Sequence, residues 1–212
     1  MNNKAVIEKL TNVLVLPVIQ IENADDAVKL VETLTENGLP AVEITFRSAA
    51  AAESIRRIRA QFPDIILCAG TVLTTAQIDE AVAAGADFIV SPGFNPTTVK
   101  YCLERNVKII PGVNNPSQIE QALELGIELV KFFPAEASGG INMIKALLGP
   151  YPQMKFMPTG GIKPNNVLDY LAIPQVVACG GSWIATPEAI EANDWEGIAK
   201  NVQYTCQLLE ER

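Results

Sequence analysis

Short apolar runs recur along the chain, most of them running into Gly, Pro, Ser or Thr. Eight stand out: Leu14–Ile19, Ala41–Phe46, Ile66–Thr71, Phe88–Gly93, Lys108–Val113, Leu129–Pro134, Lys155–Gly161 and Val176–Gly181. Their starts lie 27, 25, 22, 20, 21, 26 and 21 residues apart. Near-constant spacing, with apolar residues on both faces of each run, predicts buried parallel strands. The intervals carry helical spacing. Ala27, Leu30, Val31 and Leu34 share one face behind a possible Asn23 cap, and Gly38 closes that stretch. Ser48 opens the next, with Ile55, Ile58 and Phe62 in register. Thr75 precedes Ile78 and Val82, and Gly85 ends them. Asn95-Pro96 and Asn115-Pro116 each combine an N-cap with proline at the first helical position. Val167, Leu168 and Leu171 repeat the pattern, and Ile198, Val202 and Leu209 mark the last helix. Val6, Leu10 and Val13 predict an amphipathic lead-in helix.

Eight strand–helix units most simply close into a (β/α)8 TIM barrel of the α/β class. The alternative is an open doubly wound sheet, but no G-x-G-x-x-G follows the first strand. No linker or shift of composition divides the chain, so residues 1–212 read as a single compact domain.

Composition narrows the chemistry. With 16 Lys+Arg against 24 Asp+Glu the formal charge is −8, which argues against nucleic-acid binding. The absence of His excludes Ser-His-Asp and Cys-His systems and every zinc site that needs imidazole. Proton transfer falls to a carboxylate, Lys, Tyr, Cys or water. Cys68, Cys102, Cys179 and Cys206 show no C-x-x-C spacing, which suits a reducing compartment. The first apolar run is broken by Pro17 and too short to span a bilayer. The expectation is a soluble cytoplasmic protein with no membrane partner.

In a barrel of this kind the active site lies at the C-terminal ends of the strands. Of the ten lysines, only Lys131 stands inside an apolar run, whereas Lys108 and Lys155 stand at strand starts. Desolvation penalises an ammonium, and the neutral amine can attack a carbonyl to give a Schiff base. An internal ion pair is the other reading of its position. Glu43 also interrupts an apolar run and points opposite to Val42 and Ile44. It is either the proton shuttle or only a salt-bridge partner. Arg47 follows at the mouth, where it can clamp a carboxylate through two hydrogen bonds or simply stand on the surface. Thr159-Gly160-Gly161 and Gly180-Gly181-Ser182 follow the last two runs. Loops at those two places are the usual phosphate cradle of the fold.

At these residues the chain resembles the 2-keto-3-deoxy-6-phosphogluconate (KDPG) aldolase/4-hydroxy-2-oxoglutarate (KHG) aldolase family. The matching stretches are PVI (Pro17–Ile19), VEITFR (Val42–Arg47), AGTVL (Ala69–Leu73) and SPG (Ser91–Gly93). They continue with IPGV (Ile110–Val113), KFFPAE (Lys131–Glu136) with Gly139-Gly140, PTGGI (Pro158–Ile162) and GGSW (Gly180–Trp183). The resemblance implies a class I aldolase with no cofactor and no metal, commonly a homotrimer, acting on a phosphorylated keto-deoxy sugar acid. Lys131 would form the imine with the C2 ketone. Glu43 would move protons, taking that of the C4 hydroxyl through a bound water. Cleavage of C3–C4 would leave a pyruvate enamine and release glyceraldehyde 3-phosphate, or glyoxylate from 4-hydroxy-2-oxoglutarate. Arg47, Thr71 and the Pro92 backbone would hold the carboxylate, Phe133 would pack on the Schiff base, and Thr159 would touch the substrate. Gly160, Gly161, Gly181 and Ser182 would surround the phosphate. Asn114, Asn115 and Ser138 depart from the usual family residues, and Gln20 is an unassigned polar group near the mouth. The competing expectations are an aldolase specific for the galactonate stereoisomer, a phosphosugar isomerase or epimerase on the same barrel, and a binding module for keto acids.

Overall fold

The computed structural model describes residues 4–210. Residues 1–3 and 211–212 of the expected domain lie outside the described residues. The first half runs α1 (Lys4–Val13), β1 (Val15–Ile19), α2 (Asp26–Glu36), β2 (Ala41–Thr45), α3 (Ala51–Gln61), β3 (Ile66–Gly70), α4 (Thr75–Ala84), β4 (Phe88–Val90) and α5 (Pro96–Glu104). The second runs β5 (Ile109–Ile110), β6 (Gly112–Val113), α6 (Pro116–Glu124), β7 (Leu129–Phe132), α7 (Gly140–Leu148), β8 (Lys155–Pro158), α8 (Val167–Leu171), β9 (Cys179–Gly181), α9 (Pro187–Glu191) and α10 (Trp195–Glu210). Every predicted run holds a strand, although the last keeps only its final residues.

The result is an α/β fold whose pairings are all parallel. Six strands order as β5-β4-β3-β2-β1-β9 and three as β6-β7-β8. Single bridges, Phe156 to Val176 and Thr159 to Gly180, link β8 to the β9 segment. The fifth apolar run divides at Pro111, which has no N–H to donate. Its carbonyl still accepts from Lys131 N at 2.9 Å, so the chain on either side stays beside β7.

Strand alternation sorts the buried residues into two layers. Val42, Ile44, Val130 and Phe132 join the helices' apolar faces in one core. Leu16, Ala41, Cys68, Val90, Ile110, Leu129 and Met157 point the other way and meet in a second cluster. Val6 and Leu10 of α1 belong to that second cluster, so the lead-in helix covers its floor.

Helix starts depart from the sequence expectation where a polar side chain found a different partner. Asn23 accepts from Asp25 N at 3.1 Å and shapes the turn before α2, and Asp25, which flanks the first helical residue, makes no side-chain capping bond. The Ser48 hydroxyl donates to the Ile21 carbonyl, and α3 opens three residues later at Ala51. Thr74, one residue earlier than expected, caps α4 by accepting from Gln77 N. Asn95 and Asn115 cap α5 and α6 as predicted. Among the described residues no helix is long and apolar enough to cross a membrane.

Candidate active site

Glu43 on β2 shares its face with Ala41, and Lys131 on β7 shares its face with Leu129. Both side chains therefore turn into the second cluster's space rather than toward the helices. Glu43 is 0% exposed and Lys131 3%, and Lys131 Nζ lies 3.5 Å from Glu43 Oε1. They come from the six-stranded and the three-stranded sheet respectively, and meet across the interior. Nζ also sits 5.3 Å from the centroid of the Phe133 ring, within reach of a cation–π attraction.

Room for the Glu43 carboxylate is made by Gly70 on β3. A Cβ there would stand 2.1 Å from Glu43 Oε1. The other carboxylate oxygen, Oε2, is buried and meets no partner among the described residues, and the same holds for Thr159 Oγ1. Leaving such an atom unsatisfied costs about 1–3 kcal/mol. Thr159 and Lys131, the partner of Glu43, both line one cavity, which marks a place arranged for a ligand rather than for stability.

That cavity, about 220 Å³, opens at the C-terminal ends of the strands and reaches Lys131 at its floor. Arg47, Thr71, Pro92, Phe133, Thr159, Gly160, Gly161 and Ser182 all line it, so the structure gathers these predicted residues around Lys131. Thr71 holds φ at +55°, a left-handed conformation rare for a β-branched residue. Strain of this kind, about 1–3 kcal/mol, collects at ligand clamps. Gly160 and Gly161 have φ of +99° and +82°. Their carbonyls are engaged by Glu136 N and by Asn166 Nδ2, at 3.0 and 3.1 Å. The N–H groups of Gly161 and Ile162 meet no acceptor among the described residues, and remain available to an anion.

Two predicted residues are not in the lining, the fully buried Glu43 and Gly181. Gly181 faces away, where a Cβ would meet the Trp183 ring at 2.5 Å; its neighbour Gly180 lines the cavity beside Thr159. Val18 and Ile162 also line it and were not singled out. Alternation carried the signal for the first, because Val18 shares a face with Leu16 and pairs in register with Glu43. Gln20 donates to Glu22 at 2.6 Å and is not part of the lining. Asn114 and Asn115 serve the start of α6, where Asn115 accepts from Gln118 N. Cys68 lies under the site, but burial, with the Glu43 carboxylate adding to it, pushes its thiol well above the usual range. It offers no thiolate nucleophile.

Comparison with known proteins agrees with this geometry. The family model described as KDPG and KHG aldolase matches residues 6–201. The chain is 55% identical over 204 residues to 2-dehydro-3-deoxy-phosphogluconate aldolase of Haemophilus influenzae, covering 96% of each chain. It is 40% identical over 191 residues to KHG/KDPG aldolase of Escherichia coli K12, covering 90% of each. A crystal structure of KDPG aldolase from Legionella pneumophila, with pyruvate captured at low pH as a covalent carbinolamine intermediate, is 39% identical with a TM-score of 0.90. That match covers 93% of this chain and 96% of that one. A buried lysine beside a buried carboxylate, under an anion-ready mouth, and a family match spanning nearly the whole chain lead to one conclusion: this chain belongs to the KDPG and KHG aldolase family.

Proposed function

We propose that the chain is a class I aldolase that cleaves KDPG to pyruvate and glyceraldehyde 3-phosphate, and 4-hydroxy-2-oxoglutarate to pyruvate and glyoxylate. The observation that carries this reading is Lys131 Nζ at 3.5 Å from the buried Glu43 carboxylate, on the floor of a cavity at the strand ends. The Lys131 amine adds to the C2 ketone, and loss of water from the carbinolamine gives an imine. The cationic imine nitrogen accepts the electron pair of the breaking C3–C4 bond. Glu43 takes the C4 hydroxyl proton through a water, and the aldehyde leaves. Protonation of the enamine at C3 and hydrolysis return pyruvate and free Lys131. Arg47 and Thr71 hold the carboxylate with the Pro92 backbone, and Phe133 packs on the imine. Thr159 touches the substrate with its otherwise unpartnered hydroxyl. Gly160, Gly161, Gly181 and Ser182 receive the phosphate, Gly181 through its backbone.

The frame of this reading is a single domain whose two sheets form one eight-stranded (β/α)8 ring. Its support is the interior cluster drawn from both sheets and the bridges from β8 to the β9 segment. A cytoplasmic homotrimer completes the reading, on family likeness.

Turnover coupled to pyruvate release, measured with phosphorylated and unphosphorylated keto acids of both sugar stereochemistries, tests it. KDPG is expected to turn over fastest, and no pyruvate from any member of the panel would overturn the reading. Ser182→Ala is expected to raise KM for KDPG about tenfold or more, the worth of a hydrogen bond to a charged group. It leaves 4-hydroxy-2-oxoglutarate nearly unaffected. Equal losses on both substrates would remove the phosphate from that loop. Gly70→Ala pushes a methyl into the Glu43 carboxylate. The expected kcat falls about 10²-fold, from misplacement of a reacting group by roughly 1 Å. Thermal unfolding records an overpacking cost of about 1–3 kcal/mol. A full kcat in that variant would show that the carboxylate tolerates displacement.

A further inference from the structure

Arg47 follows β2 by two residues, is exposed, and lines the mouth of the cavity. A long exposed guanidinium samples many rotamers, and immobilising it on binding weakens affinity by about 3- to 10-fold. Here one bond restricts it: its Nε–H donates to Thr45 Oγ1 at 3.2 Å. Thr45 is fully buried at the end of β2, and its hydroxyl donates to the Ile19 carbonyl of β1 at 3.0 Å. A hydroxyl has one proton and two lone pairs. With the proton directed at Ile19, a lone pair is left facing Arg47, so the relay has a fixed sense. Arg47 makes no ion pair among the described residues. A guanidinium can grip a carboxylate either along its Nε–Nη2 edge or along its Nη1–Nη2 edge. With Nε held by Thr45, only the second edge is left.

We infer that Thr45 is a positioning residue that orients Arg47 so that its Nη1–Nη2 edge receives the carboxylate of the keto acid. The inference rests on the proposed role of Arg47 as the carboxylate clamp.

Thr45→Val keeps the side-chain shape and removes both bonds. Borohydride trapping of the imine is titrated with pyruvate and with methyl pyruvate, which has no carboxylate charge. The expected half-saturating pyruvate concentration rises about 3- to 10-fold in Thr45→Val. Methyl pyruvate is unchanged, kcat for KDPG is kept, and Thr45→Ser restores the pyruvate value. In an Arg47→Ala background Thr45→Val has no further effect. If Arg47→Ala weakens pyruvate and Thr45→Val does not, Thr45 has no positioning role, while the clamp stands. Equal weakening of both ligands in Thr45→Val, or failure of Thr45→Ser to rescue, also overturns it. If Arg47→Ala leaves pyruvate binding unchanged, the clamp fails and this inference falls with it.

Discussion

Lys131→Met abolishes borohydride trapping of pyruvate and lowers kcat for KDPG by at least about 10⁴-fold, the scale of losing a covalent nucleophile. Methionine fills the volume of the lysine stem without an amine, so loss of activity is not loss of packing. The change breaks the Lys131–Glu43 pair and leaves a carboxylate alone at 0% exposure. Removing one partner of a buried pair costs about 3–5 kcal/mol. A lower thermal midpoint with native circular dichroism is therefore expected beside the lost adduct. Intact-mass measurement after borohydride reduction with pyruvate reads the result directly. The wild-type protein gains one pyruvate-derived adduct and the variant gains none. An adduct of the same mass in Lys131→Met would place the imine on another lysine. The two lysines at strand starts make poor substitutes, because Lys155 begins β8 at the opposite end of the strands and Lys108 immediately precedes β5.

How much of this was legible in the sequence depends on which physical signal carried each feature. Period-two alternation is imposed by the pleat, so a charged residue inside an apolar run announces which face it takes. Glu43 and Lys131 were readable for that reason, and the structure places both on the interior face. The same rule decides the Gly180-Gly181 pair. Ala178 belongs to the interior cluster, so Gly180 follows it onto the cavity side, and Gly181 turns under Trp183. Gly70 shares its face with the interior residue Cys68, but its contact with Glu43 depends on the register of β2 against β3, which pairs Glu43 with Cys68. Register between strands is a tertiary fact and leaves no local mark. The left-handed Thr71 and the Thr45–Arg47 bond belong to the same class, since spacing says nothing about a single φ or a rotamer. The helix starts missed by a few residues have another cause. Asn and Ser bond equally well to a turn or to a distant carbonyl, and the choice falls to the packed chain.

Glu43→Gln is expected to separate imine formation from proton transfer. Glutamine matches glutamate in shape, and Gly70 still leaves it room, but its amide neither takes nor gives up a proton at neutral pH. Loss of a positioned acid–base group costs about 10²–10⁴-fold in kcat. The amine of Lys131 remains, so borohydride still captures pyruvate, although the adduct accumulates more slowly. The decisive readout is exchange of the pyruvate methyl hydrogens for deuterium, followed by NMR. Exchange needs both the imine and a base that removes a C3 proton to form the enamine. The expected outcome is trapping retained with exchange reduced by the same factor as cleavage. Neighbouring groups offer no replacement base: the Cys68 thiol is held protonated by burial, and Thr159 contributes only a neutral hydroxyl. The unpartnered Oε2 of Glu43 also fits the assignment, because a carboxylate that relays protons needs one oxygen without a protein partner while the other faces the lysine. Should Glu43→Gln exchange deuterium as fast as the wild-type protein, the carboxylate would be only the electrostatic partner of Lys131, and the proton would have to travel by another route.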